Sequence, residues 1–337
     1  MSMLFSPTSF KGLTLRNRIV MPPMATAFEG PGGSQKDDGV PGEATIAHYE
    51  QRSKHGVGMI IVEHTYISRQ GKAHRGQLGI DRDEVIPEFK ALASAIKKGG
   101  AVAVLQINHV GAAGNSSVTG QEPLGPSDIP VPNQERKPKP MGIHDIAATV
   151  EDFARAAERV RKAGFQAVEI HSAHSYLLTQ FLSPLTNKRN DVYGGSLENR
   201  ARFLLEVVEA VKARTGGDFP VLVRLGSVDG IEGGIVPEDA AKVAFMLQKA
   251  GLSVIDVSGA FAGSRPKDAA PGYFVPAAST IKKKVDIPVL VTGGITDPLL
   301  AENILREGKA DLIGIGRALL RDPEWVLKAK DTMTHQK

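Results

Sequence analysis

A chain of 337 residues, 42% hydrophobic and 23% charged, is long enough to bury a large core and has the balance of a globular protein. Its net charge of +4 is spread along the sequence without a block of like charge, which argues against nucleic acid as a partner. The absence of cysteine excludes disulfides, thiolate nucleophiles and cysteine-held metal clusters, and fits a cytoplasmic location.

The N-terminal stretch MSMLFSPTSFKGLTLRNR lacks the apolar core of a signal peptide, and runs such as GMIIV are too short to span a membrane. The first predicted strand, NRIVMPPM around Ile19, ends in Pro23-Met24. The second, GMIIVEHT around Ile61, ends in Glu63-His64. Phe89, Leu92, Ala93 and Ile96 then fall at helical spacing, and IKKGG leads into AVAVLQI, whose end carries Gln106. A long loop from His109 to about His144, rich in proline, is a candidate lid. The next helix is predicted over Phe153, Ala156, Ala157 and Val160, with Thr149 and Asp152 as its capping pair.

RKAG leads to FQAVEIH, which delivers His171, His174 and Tyr176 where the strand runs out. Leu204, Val207, Val208 and Val211 predict a helix starting near Ser196, and PVLVRL after it carries Arg224. QKAG precedes LSVIDVSG, which ends in Ser258-Gly259 and opens a second long loop, GAFAGSRPKDAAPGYF. IPVLVTGG around Leu290 ends in Gly293-Gly294, and REGK precedes ADLIGIG, which ends in Gly316-Arg317. The tail from about 328 reads as flexible.

A repeated ending runs through this series. A basic residue complements the negative end of a helix, and a glycine takes the left-handed conformation that stops it. The following run is rich in valine and isoleucine, as suits a strand buried on both faces. About eight such units predict a single-domain α/β fold, a (β/α)8 TIM barrel, with the active site at the C-terminal mouth of the strands. An open doubly wound sheet needs fewer strands.

At that mouth, glycines on the last two strands let backbone approach an anion, and Arg317 can grip it with a forked guanidinium. Two histidines without further ligands do not make a zinc site, so no metal is expected. As a pair of N–H donors beside a phenol, His171, His174 and Tyr176 suit a carbonyl that gains negative charge and then a proton. The structural alternative is a pair of buried histidines satisfied by their neighbours. For Arg224 it is an ion pair with Glu63 or Glu169, and for Gln106 a buried hydrogen bond to backbone.

The string HSAHSYLLTQFLSPLTNKRNDVYGGSLENR closely resembles the signature of the old yellow enzyme family of flavin-dependent ene reductases. LRNRIVMPPMAT, VLQINHVG and LIGIGRALLRDPEW resemble other strands of that family, so the likeness runs from about Phe5 to Trp325. It implies tightly bound FMN, with NADH or NADPH as reductant and an α,β-unsaturated carbonyl as substrate. Backbone at Pro22, Pro23, Met24, Ala25 and His64 would line the flavin, Gln106 would meet its pyrimidine edge, and Arg224 would lie near its N1–C2 carbonyl. Gly293, Gly294, Gly316 and Arg317 would hold the phosphate. His171 and His174 would bind the substrate oxygen, and Tyr176 would give the proton.

The sequence departs from the family pattern in places. Ala25 stands where many relatives have cysteine or threonine, and Ala27 where a subgroup has a substrate-facing tyrosine, leaving Phe28 as the nearby aromatic. Ser172 and Ser175 stand where that subgroup favours glycine. The tail KAKDTMTHQK lacks the arginine and aromatic residues with which some relatives complete a neighbour's site, which leaves a homo-oligomer open. NRIVMPPMAT also resembles the larger enoate and 2,4-dienoyl-CoA reductases, but no iron–sulfur cluster or further domain is expected here. Arg189, Asp191, Tyr193, Glu198, Asn199 and Arg200 read as scaffold. A flavin-dependent amine dehydrogenase, a flavin-free phosphate-binding barrel and a non-catalytic binding module are the competing readings.

Overall fold

In the computed structural model, which describes residues 2–26 and 38–335, eight parallel strands close into a barrel. They are β1 (Ile19–Met21), β2 (Met59–Tyr66), β3 (Val102–Asn108), β4 (Ala167–Ser172), β5 (Val221–Gly226), β6 (Val254–Ser258), β7 (Val289–Val291) and β8 (Leu312–Gly314). β8 pairs with β1, so the sheet has no free edge. An antiparallel hairpin of Thr8–Phe10 and Leu13–Leu15 precedes the barrel, and its Leu13 and Leu15 pack into the apolar cluster formed by Val20, Met59, Val104 and Leu222.

The outer layer is α1 (Glu43–Lys54), α2 (Ile86–Lys98), α3 (Ile143–Lys162), α4 (Leu197–Thr215), α5 (Pro237–Lys249), α6 (Val275–Lys282) and α7 (Pro298–Arg306). The predicted apolar stripes of α2 and α4 are buried as expected. Ser196 caps α4 by accepting from the Asn199 N–H. Left-handed glycines close the helices where the repeated ending placed them, as at Gly164 and Gly251.

Two boundaries differ from expectation. α3 starts at Ile143, where the Asp145 carboxylate accepts the Gly142 N–H at 2.8 Å. Thr149 is therefore interior, bonding back to the Asp145 carbonyl. The tail, expected to be flexible, is helical over Trp325–His335 and buries Val326 and Ala329.

The loop expected as a lid carries structure of its own. A short helix at Ser116–Thr119 and a two-residue ladder between Leu124–Gly125 and Lys139–Pro140 fold it back on itself. The scaffold reading of the signature fits the contacts. Arg189 grips Asp191 with two nitrogens and also donates to the carbonyls of Pro126 and Met141 in that loop. Arg200 donates to the Leu182 carbonyl, and the Tyr193 hydroxyl donates to Glu206 on α4. Among the described residues no helix is long and apolar enough to cross a membrane.

Candidate active site

Residues alternate inward and outward along each strand, so register decides which side chains meet in the bore. Glu169 lies beside Gln106, and Arg224 lies between His171 and Asp256. The Gln106 amide donates to Glu169 Oε1 at 2.8 Å. That bond is to a side chain and not to backbone. Arg224 Nε lies 3.3 Å from Asp256 Oδ2, so the counter-charge is Asp256 and neither glutamate named from the sequence. Burial raises the Asp256 carboxyl to about 6 although Arg224 opposes the shift. Burial, reinforced by Asp256, holds the Glu169 carboxyl well above the usual carboxylate range.

Glu63 has a different task. Its carboxylate accepts the Thr26 backbone N–H and hydroxyl, and the Tyr49 hydroxyl bonds to it from α1. This pins the segment after β1 that the sequence placed against a cofactor.

Two groups of predicted residues come together at the mouth. The first lines a cleft of about 450 Å³, within the usual range for small-molecule sites, and includes Pro22, Met24, Arg224, Gly293, Gly294, Gly316 and Arg317. Side chains at its glycines would be crowded. A Cβ on Gly294 would sit 2.9 Å from the Tyr273 ring, and one on Gly316 would sit 3.1 Å from Met24 Sδ. Gly293 and Gly294 also have φ of 131° and 71°. Arg265, Tyr273 and Arg321 join this cleft and were not singled out from sequence, although GSRPK and RALLR carry the arginines. Tyr273 donates to the Ser264 carbonyl, and Arg317 Nη2 approaches its hydroxyl at 3.4 Å. Pro23 contributes its carbonyl to Arg224 Nη1 at 3.4 Å. Ala25 lines a different hollow, with Thr26, Ala44 and His48.

The second group surrounds the end of β4. The rings of His171 and His174 lie 5.1 Å apart, and Tyr176 is 4.9 Å from His171. The His64 ring joins them, 5.6 Å from Tyr176. Gln77 and Asn108, unremarked in the sequence, approach His64 Nδ1 at 2.9 and 3.4 Å. His174 and Ser175 take φ of 52° and 66°, a costly conformation for residues with a Cβ. It is held by the His174 backbone N–H on the Gly259 carbonyl and by the Gln180 amide on the Ser175 carbonyl. Ser175 therefore occupies a left-handed position where glycine would fit without strain.

Burial, neighbouring imidazoles and Arg224 hold His171 well below the usual histidine range; burial, Arg224 and His64 do the same to His174. Burial, His74 and Arg224 push His64 down to about 3. All three are neutral at pH 7, so each carries one ring proton to donate. Burial raises the Tyr176 phenol, which keeps its proton. Ala27 and Phe28, assigned to the substrate pocket by resemblance, lie outside the described residues.

The cleft suits a phosphorylated planar cofactor on its own chemistry. Crowded glycine backbone with Arg265, Arg317 and Arg321 suits a dianion, and Arg224 in the same lining offers a cationic contact to a heterocycle. The family model for NADH:flavin oxidoreductase / NADH oxidase matches residues 3–336. An NADH oxidase from Thermoanaerobacter brockii is 39% identical over 335 residues, and the chain spans about half its length, covering 97% of this chain and 50% of that one. An NADPH dehydrogenase from Geobacillus sp. is 41% identical over 324 residues, covering 96% and 92% of the two chains. The solved structure of morphinone reductase in complex with tetrahydroNAD superposes with a TM-score of 0.83 at 29% identity, covering 98% of this chain and 90% of that one. The chain belongs to the NADH:flavin oxidoreductase / NADH oxidase family, the old yellow enzyme family, whose cofactor is FMN and whose reductant is a nicotinamide.

Proposed function

We propose that the protein reduces the activated C=C bond of α,β-unsaturated carbonyl compounds, at the expense of NADH or NADPH. The observation that carries this reading is the placing of two neutral imidazoles and a protonated phenol around the end of β4, beside the cationic cleft. FMN bound there would supply the hydride chemistry between the nicotinamide and the β-carbon of the substrate. The residues of the chain supply the rest. Gly293, Gly294, Gly316 and Arg317 would hold the phosphate, with Arg265 added to the set read from sequence. Backbone at Pro22, Pro23 and Met24 would line the ring, with Gln106 and Arg224 fixing its polar edge. His171 and His174 bind the carbonyl oxygen, where N–H donors favour the negative charge that develops. Tyr176 protonates the α-carbon, and its raised pKa ensures that the proton is present.

The purified protein should be yellow, should bleach with NADPH or NADH without oxygen, and should recover its colour on adding cyclohexenone. Tyr176→Phe should slow that recovery by about 10²-fold or more, the usual size of a lost general acid, while bleaching by the nicotinamide persists. Bleaching by an amine, with no recovery of colour on adding an enone, would point instead to the amine dehydrogenase reading. A protein that stays colourless with added FMN would sink the proposal.

A further inference from the structure

The hydrogen bonds around His171 and His174 fix where the ring protons lie. The Ala173 backbone N–H donates to His171 Nδ1 at 3.1 Å, so the proton of that neutral ring is on Nε2. His171 Nε2 faces His174 Nδ1 at 3.3 Å, which makes His174 Nδ1 the acceptor. The proton of His174 is then on Nε2, where it meets Ser258 Oγ at 2.7 Å. In this arrangement the pair satisfies itself and presents no second donor.

An oxygen seated against both facing nitrogens needs the other tautomer of His174, with the proton on Nδ1. Nε2 must then accept, and Ser258 must donate. A hydroxyl can do either. Arg224 Nη2, which only donates, approaches the same Ser258 oxygen at 3.5 Å. It occupies a lone pair and leaves the hydroxyl proton free to turn towards His174. Resting on the functional reading above, we infer that Ser258 is a positioning residue that selects the tautomer of His174, so that a bound carbonyl oxygen meets two N–H donors instead of one. The ring gives up the Nε2 proton and gains one at Nδ1 by exchange with water, and its net charge does not change. The same hydroxyl links this choice to Arg224, and so to the cationic cleft. The burial and charge that keep His174 neutral make a tautomer exchange, and not protonation, the available response.

Nitrogen-15 spectra of the histidine-labelled, FMN-loaded oxidised protein test this directly. Free, His174 should show a bare Nδ1 and a protonated Nε2. With saturating cyclohexenone the two should exchange roles, while His171 keeps its proton on Nε2. Ser258→Ala should abolish the exchange and weaken cyclohexenone binding about tenfold, the worth of one hydrogen bond of about 1.4 kcal/mol. Ser258→Thr, which keeps the hydroxyl, should restore both. A wild-type His174 whose tautomer is the same with and without cyclohexenone overturns the inference, as does an unchanged response in Ser258→Ala. If Ser258→Ala does not fold, the wild-type spectra decide alone. Cyclohexenone turned over with no tautomer change removes only this inference; cyclohexenone neither bound nor reduced by the wild type removes the functional reading and this one with it.

Discussion

The lower and upper halves of the barrel bore are built on the same strands by the same alternation, yet they are chemically opposite. Below lie Val104, Ala167, Leu222 and Val254, sealed by the hairpin leucines. Two residues further along each strand stand Gln106, Glu169, Arg224 and Asp256, all buried. One more step brings His171 and Ser258. The lower half holds its shape by packing, which no proton can alter. The upper half sets two acids against one cation, beneath imidazoles kept neutral by burial, so its energy depends on where protons sit. A stable base and a costly rim on one scaffold is how a barrel separates folding from chemistry.

Acid should give the largest break in that comparison. The buried imidazoles have folded pKa values below the unfolded 6.5, at about 3 for His64 and His48 and about 4 for His109, with His171 and His174 also well below the usual histidine range. Between pH 6.5 and 4 the unfolded chain therefore binds more protons, and stability falls as pH falls. Asp256, raised to about 6 in the fold, acts in the opposite direction as pH drops through that value, and Glu169, Glu63 and Asp229, also raised by burial, act with it. Five strongly lowered imidazoles outnumber these four carboxyls, so a net loss of stability is expected between pH 7.5 and 5, visible as a lower urea midpoint. A flat midpoint would mean that the imidazoles already carry charge in the folded protein.

Arg224→Met comes next. It leaves the Asp256 carboxylate buried without its cation, at a cost of about 3–5 kcal/mol at pH 8. At pH 5 Asp256 takes up a proton in either form, so the cost should shrink. Leu222→Ala, directly below on β5, is the matched control. It should cost about 2–5 kcal/mol by leaving a cavity, and equally at both pH values. Equal pH dependence for the two variants would erase the distinction between the halves.

The lower half and the helices over it were the legible part of the sequence, because apolar periodicity is a local signal. Phe89, Leu92, Ala93 and Ile96 announce α2 unaided. α1 was invisible for the opposite reason: its buried face is Thr45, His48, Tyr49 and Arg52, polar side chains of which only Tyr49 joins the apolar core. Arg52 donates to the carbonyls of Leu319 and Leu320 after β8, while Tyr49 meets Glu63, so the helix anchors two segments of the mouth. At the site, the signature string exposed His171, His174 and Tyr176, and glycine pairs exposed the cleft. Asp256 stayed hidden within VIDVS because its meaning lies in Arg224 on the next strand, a matter of register. Tyr273 and Gln77 reach the mouth from loops whose paths no periodicity records.

The smallest effect should come from Glu169→Gln, and it tests the upper half most finely. Glu169 is fully buried, its Oε1 accepts from Gln106, and Asp256 adds negative charge to the desolvation it already bears. A carboxyl so placed is neutral at pH 7. Glutamine is then nearly isosteric and isoelectronic with the group that is present, and its carbonyl can accept the same amide proton. The expected loss is under ~1 kcal/mol, read from urea unfolding at pH 7.5, against the ~3–5 kcal/mol of a broken buried ion pair. A large loss would mean that Glu169 is ionised and shares Arg224 with Asp256. The bore would then hold two anions on one cation, and the Arg224→Met cost could no longer be assigned to Asp256 alone.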